Sequence, residues 1–169
     1  WERPQLGQYE FNGSRDNNIV LATTGDPWGV MVDPFEQDPA RRFKLGLYHQ
    51  PPGSPGPKDP AARRRYMQSV IDRYGMYACS SPDGIRWTFE DTLLVGGADD
   101  AGVLAHDPLG GGYLATSRRR HNLADHFVLE WKKYRRVIAI SRSDDFSSWT
   151  PLRTVLKPDE FDDVGVQLY

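Results

Sequence analysis

The chain has 169 residues, enough for one domain of ordinary size, and 38% hydrophobic residues suffice for a core. Its 21 basic and 23 acidic residues leave a net charge of −2, so the electrostatic footprint of a nucleic-acid binder is missing. No apolar run reaches the length of a membrane span, and the single Cys79 excludes an internal disulfide.

The chain opens on Trp1 without a leader pattern, and is therefore expected to be a mature form or an excised piece; the compartment stays open, with secreted or periplasmic preferred. After the stretch "DNNIV" at 16–20, "WGVMVDP" (28–34) reads as an apolar strand ending in Asp-Pro, and "RRFKLGLYHQ" (41–50) as its partner. Residues 51–65, "PPGSPGPKDPAARRR", are rich in Pro, Gly and charge and read as an inserted surface loop. A third strand at 74–79 enters "SPDGIRWT" (81–88), whose Ser and Asp side chains favour a turn before a Trp strand closes the unit.

The order then repeats. "AGVLAHDP" (101–108), "GGYLATSR" (111–118) and 136–140 are three more strands, leading into "SDDFSSWT" (143–150). Asp99-Asp100-Ala101-Gly102-Val103 recurs as Asp162-Asp163-Val164-Gly165-Val166, and Asp16 follows Trp1 at about the spacing that Asp100 and Asp163 keep from Trp87 and Trp149. No segment shows sustained helical periodicity; "DHFVLEWKKY" (125–134) suits a helix or a long hairpin. The expected organisation is a first unit at 1–87, a second at 88–149 and the start of a third at 150–169. Four antiparallel strands per unit is the arrangement of a propeller blade. The fold class is thus all-β, a partial β-propeller whose remaining blades are its first expected partner.

Together "WERPQLG…NNIV", "YACSSPDGIRWT", "HDPLGGGY" and "ISRSDDFSSWT" resemble the five-bladed β-propellers of the glycoside hydrolase family 32/43 superfamily, most closely its largely uncharacterised bacterial members. The resemblance implies a carbohydrate substrate, no cofactor, and three funnel carboxylates near the starts of the innermost strands. These map to Asp16 as base or nucleophile, Asp100 as stabiliser, and Asp163 as acid, with Glu160 three residues earlier because that acid is usually Glu. Such chemistry needs one carboxylate to attack or activate water and a protonated acid for the leaving oxygen. Asn17, Asn18, Trp28, Asp99, Asp162 and Arg118 are the expected substrate-binding residues. For each a plainer role competes: Trp28 suits the core as well as a sugar ring, and the arginine runs 63–65 and 118–120 suit solvated faces. Asp83, Asp145, Asp33 and Asp107 read as turn residues. His49, His106, His121 and His126 lack a metal-ligand spacing, so no metal site is expected.

Two other classes stand beside this one. Sialidases carry a related Asp-box turn, although "SPDGIRW" is one residue short between Asp and Trp and the second copy lacks the Gly. A non-catalytic propeller that binds glycans is the third reading. Convergence of carboxylates, or of arginines, at one site separates them.

Overall fold

The computed structural model describes residues 2–23, 25–49, 58–70, 73–120, 136–159, 161–162 and 168, apart from the side chains of 63, 64, 67, 68, 70 and 120. Eight strands form two four-stranded antiparallel sheets. The first holds β1 (Asp26–Val32), β2 (Phe43–His49), β3 (Gly75–Ser81) and β4 (Thr88–Gly96), in that order. The second holds β5 (Gly102–His106), β6 (Tyr113–Arg120), β7 (Arg136–Ser143) and β8 (Arg153–Leu156), again in chain order. The mostly-β expectation and the four-strand grouping hold. Each Trp strand lies in the sheet before it, so the chain changes sheet across 97–101.

One element departs from the expected loop. Residues Pro60–Val70 form α1, between β2 and β3. Its start is set by local chemistry: the Asp59 carboxylate accepts a hydrogen bond from the Ala62 N–H at 2.8 Å, and Pro60 opens the first turn. Ala, Arg, Met and Gln then propagate the helix by propensity alone. A helix made this way has no apolar stripe, which is why periodicity does not reveal it. Residues 51–57 and the candidate hairpin at 125–134 lie outside the described residues.

The repeated turns explain themselves. In the first, Asp83 Oδ1 accepts from the N–H groups of Ile85 (2.9 Å) and Arg86 (2.8 Å), while the Ser81 hydroxyl accepts from Gly84 (2.9 Å). The Trp87 indole N–H then donates to the Gly84 carbonyl at 2.9 Å. In the second, Asp145 Oδ1 accepts from Ser147 (2.8 Å) and Ser148 (2.7 Å), and Trp149 donates to the Phe146 carbonyl at 3.0 Å. Both carboxyls are held below their usual range by these backbone donors, Asp83 at about 2. Each turn therefore satisfies its own polar groups and fixes one Trp. The left-handed position taken by Gly84 (φ 75) is taken in the second turn by Phe146 (φ 64). Phe146 is buried, meeting the rings of Tyr113 and Trp149 edge-on and lying under the Lys44 ammonium at 4.6 Å.

The sheets pack face to face, with β5 against β1 and β2. From the first sheet Trp28, Tyr48, Met76, Ala78 and Val95 enter the shared core; from the second come Leu104, Tyr113, Ala115 and Phe146. Glycine makes the close approach possible. A Cβ on Gly102 would lie 2.5 Å from the Trp28 ring, and one on Gly46 would lie 2.8 Å from the Met76 sulfur. The other face of the first sheet carries Leu45, Leu47, Cys79 and Trp87, covered by Val20 and Leu21 of the irregular N-terminal segment. Both faces of β3 are consequently buried, whereas in β7 buried residues alternate with half-buried or exposed ones and β8 is exposed throughout.

Candidate functional site

Asp99, Asp100 and Arg118 come together where the chain enters β5. Backbone pairing runs one residue beyond the strand, the Arg118 N–H bonding the Ala101 carbonyl at 2.7 Å. The Ser117 hydroxyl accepts from the Asp99 N–H at 3.0 Å, and Asp99 Oδ1 accepts from the Asp100 N–H at 2.9 Å. That fixes both carboxylates against the guanidinium of Arg118, which is only 7% exposed. Arg118 Nη2 donates to Asp100 Oδ1, and Nε lies 3.6 Å from Asp99 Oδ2. The Asp100 side chain remains 44% exposed, so this corner offers solvent a carboxylate braced by a buried cation. The exposed carboxylate can accept hydrogen bonds in directions that the buried guanidinium fixes.

Of the other expected residues, Trp28 packs on Gly102 beside this corner. Asp16 is exposed in the N-terminal segment, ahead of the first strand, and its N–H donates to the Ser14 hydroxyl at 3.0 Å. Asn17 braces that segment: its amide donates to the Tyr9 carbonyl at 2.8 Å and accepts from the Ile19 N–H at 3.1 Å. Asn18 is exposed. The carboxylate at the start of β1 is Asp26, not Asp16. Asp26 precedes Asp33-Pro34 by the interval that separates Asp100 from Asp107-Pro108, and counting back from the repeated Asp-Pro pair would have found it. Trp28, at 4% exposure, packs between the sheets against Gly102, so core packing accounts for it. Asp162 is exposed and accepts from the Asp159 N–H at 2.8 Å. Asp163 and Glu160 lie outside the described residues.

A further cluster, not anticipated as such, sits between the sheets at the opposite strand ends. Asp33 Oδ1 accepts from the Phe35 N–H at 3.0 Å, which is the turn role expected of it. Its Oδ2 accepts from the Tyr113 hydroxyl of the second sheet at 2.7 Å and lies 3.5 Å from Lys44 Nζ. Lys44, 1% exposed, also donates to Glu36 at 2.6 Å. That bond is the main reason the Glu36 carboxyl lies below its usual range. Burial, then the bond to Asp33, pushes the Tyr113 phenol up. Asp107 repeats the turn, accepting from Leu109 and Gly110 at 3.0 Å each, and pairs with Arg142 at 3.1 Å. Strand alternation gives Lys44 no mark of burial, because its partners are distant in sequence.

A cleft of ≈ 680 Å³ opens between the N-terminal segment and the first sheet. Tyr9, Glu10, Phe11, His49 and Phe89 form much of its wall. The His49 ring packs against Tyr77 and Phe89, each at 5.5 Å. Among the described residues no group of three or more His, Cys, Asp or Glu is placed to hold a metal ion, and no helix is long and apolar enough to cross a membrane. No family model, curated protein or solved structure matches the chain.

Proposed function

We propose that the two sheets are neighbouring blades of a β-propeller and that the chain acts on a carbohydrate as a glycoside hydrolase. The observation that carries this reading is the Asp99–Asp100–Arg118 corner at the entry to β5. β5 packs against β1 of the other sheet, which is where an innermost strand belongs. In this reading Asp100 is the stabilising carboxylate, oriented by Arg118, and Asp99 holds the guanidinium from its other side. Proton transfer and attack fall to other carboxylates, Asp26 at the start of β1 and Asp163 or Glu160 later in the chain.

The assay is hydrolysis of aryl arabinosides, xylosides, galactosides and fructosides by wild type and Asp100→Asn. Asn is nearly isosteric, so the fold survives while the charge is lost. Removing one electrostatic partner of a transition state costs on the order of 10²–10³ in kcat. Unchanged turnover in Asp100→Asn rejects the corner as the site. The aromatic cleft favours a second reading, a non-catalytic glycan-binding propeller, because its rings suit the apolar face of a sugar. No turnover by wild type, together with glycan binding that Phe89→Ala abolishes and Asp100→Asn spares, selects that reading.

A further inference from the structure

The cleft between the N-terminal segment and the first sheet carries aromatic rings on both of its walls. On the sheet side, His49 of β2 and Phe89 of β4 line it, and both rings pack on Tyr77 of β3, at 5.5 and 5.7 Å. Strand alternation puts them on the face of Leu45, Leu47 and Cys79, since His49 is two residues beyond Leu47 and Phe89 pairs with Cys79. On the facing side the segment brings Tyr9, Glu10 and Phe11. That segment is seated: Val20 and Leu21 pack on the first sheet, and the Asn17 amide donates to the Tyr9 carbonyl at 2.8 Å. Phe11 opens a tight turn over Asn12 (φ 51) and Gly13 (φ 77), closed by two backbone bonds with Ser14 at 2.8 and 3.1 Å. The turn holds the Phe11 ring 61% exposed and outside both core clusters, and Phe89 across the cleft is 37% exposed.

Charge decides which ligand these rings suit. Among the described residues no Lys or Arg lines the cleft, and Glu10 makes no ion pair. The cation of the same segment, Arg15, donates instead to the Gly7 and Gln8 carbonyls at 3.2 and 3.4 Å. Ring faces and an unneutralised carboxylate attract the same partner, a positive charge on an apolar body. We propose that the cleft binds a quaternary ammonium compound, its charge against the rings of Tyr9, Phe11 and Phe89 and beside the Glu10 carboxylate. A quaternary ammonium has no N–H to satisfy and gives up little water on entering, which fits walls built mainly of rings. The rings alone would serve the apolar face of a sugar equally well; the carboxylate selects the cation. The proposal rests on neither carbohydrate reading, and both walls of the cleft belong to the described chain.

Ligand-observed NMR titration of the full chain tests this, with choline and with its neutral isostere, in which a tert-butyl group replaces the trimethylammonium. Choline is expected to bind in the millimolar range, and the neutral isostere several-fold more weakly. Phe89→Leu keeps the apolar volume but removes a ring face, and Glu10→Gln removes the charge. Each is expected to weaken choline by about two- to fivefold and to leave the isostere unchanged. Glu10 is exposed, so its variant keeps the fold even where Phe89→Leu does not, with far-UV circular dichroism as the check. No choline binding at millimolar concentrations would overturn the proposal, as would equal affinity for choline and the isostere, or choline binding indifferent to both variants. Displacement of choline by a methyl arabinoside at comparable concentration would overturn it in favour of the glycan-binding cleft.

Discussion

Replacing Phe146 by Gly tests how the second turn and the sheet interface share one residue. Two effects oppose each other. An L-residue in the left-handed region costs about 1–2 kcal/mol, which glycine at φ 64 recovers. Against this, Phe146 is 3% exposed and fills the space between Tyr113, Trp149 and Lys44, and truncating such a phenylalanine costs about 3–5 kcal/mol. Packing wins, and the net loss is roughly 1–4 kcal/mol. With a urea m-value of about 1–3 kcal/mol/M, the midpoint falls by on the order of 1 M. The companion change is Gly84→Ala, at the same place in the first turn. Its Cβ meets only the Phe43 ring at 3.4 Å, so it carries the backbone cost of about 1–2 kcal/mol without a packing term. Urea titration followed by tryptophan fluorescence measures both. A Phe146→Gly protein as stable as wild type, or more so, would refute the reasoning, because strain rather than packing would then dominate the second turn.

Lys44→Ala leaves Asp33 and Glu36 without their buried cation and is expected to destabilise by about 3–5 kcal/mol, read from the same urea titration. Gly102→Ala drives a Cβ to 2.5 Å from the Trp28 ring and 2.6 Å from the Thr116 carbonyl, and is expected to cost roughly 1–3 kcal/mol with a shifted tryptophan spectrum. The Asp83 carboxyl should titrate at about 2 by carbon NMR. Its folded value is depressed, so its contribution to stability is present above the unfolded value of about 3.9 and is lost as pH falls through about 2. Cys79, buried with its thiol pushed up to about 12, should react with a thiol reagent only on unfolding, at a rate that tracks stability across these variants.

The sequence alone determined what is local. Strand order, the two Asp–Trp turns and the Asp-Pro corners follow from side chains that bond backbone two or three residues away, so their identity and spacing are sufficient. The helix at 60–70 was also written locally, in the Asp59 cap and Pro60, but a search for apolar periodicity passes over a helix without an apolar stripe. Tertiary structure decided the rest. Arg118 meets Asp99 and Asp100 only because β6 returns beside β5, and Tyr113 reaches Asp33 across 80 residues of chain. Lys44 and Trp28 alternate like surface residues or stacking platforms until a second sheet closes over them. Asp26 differs: its interval to Asp33-Pro34 already marks it in the sequence, and strand pairing puts it at the start of β1. Burial and long-range charge pairing are properties of which faces meet, and no residue carries that information in its own neighbourhood.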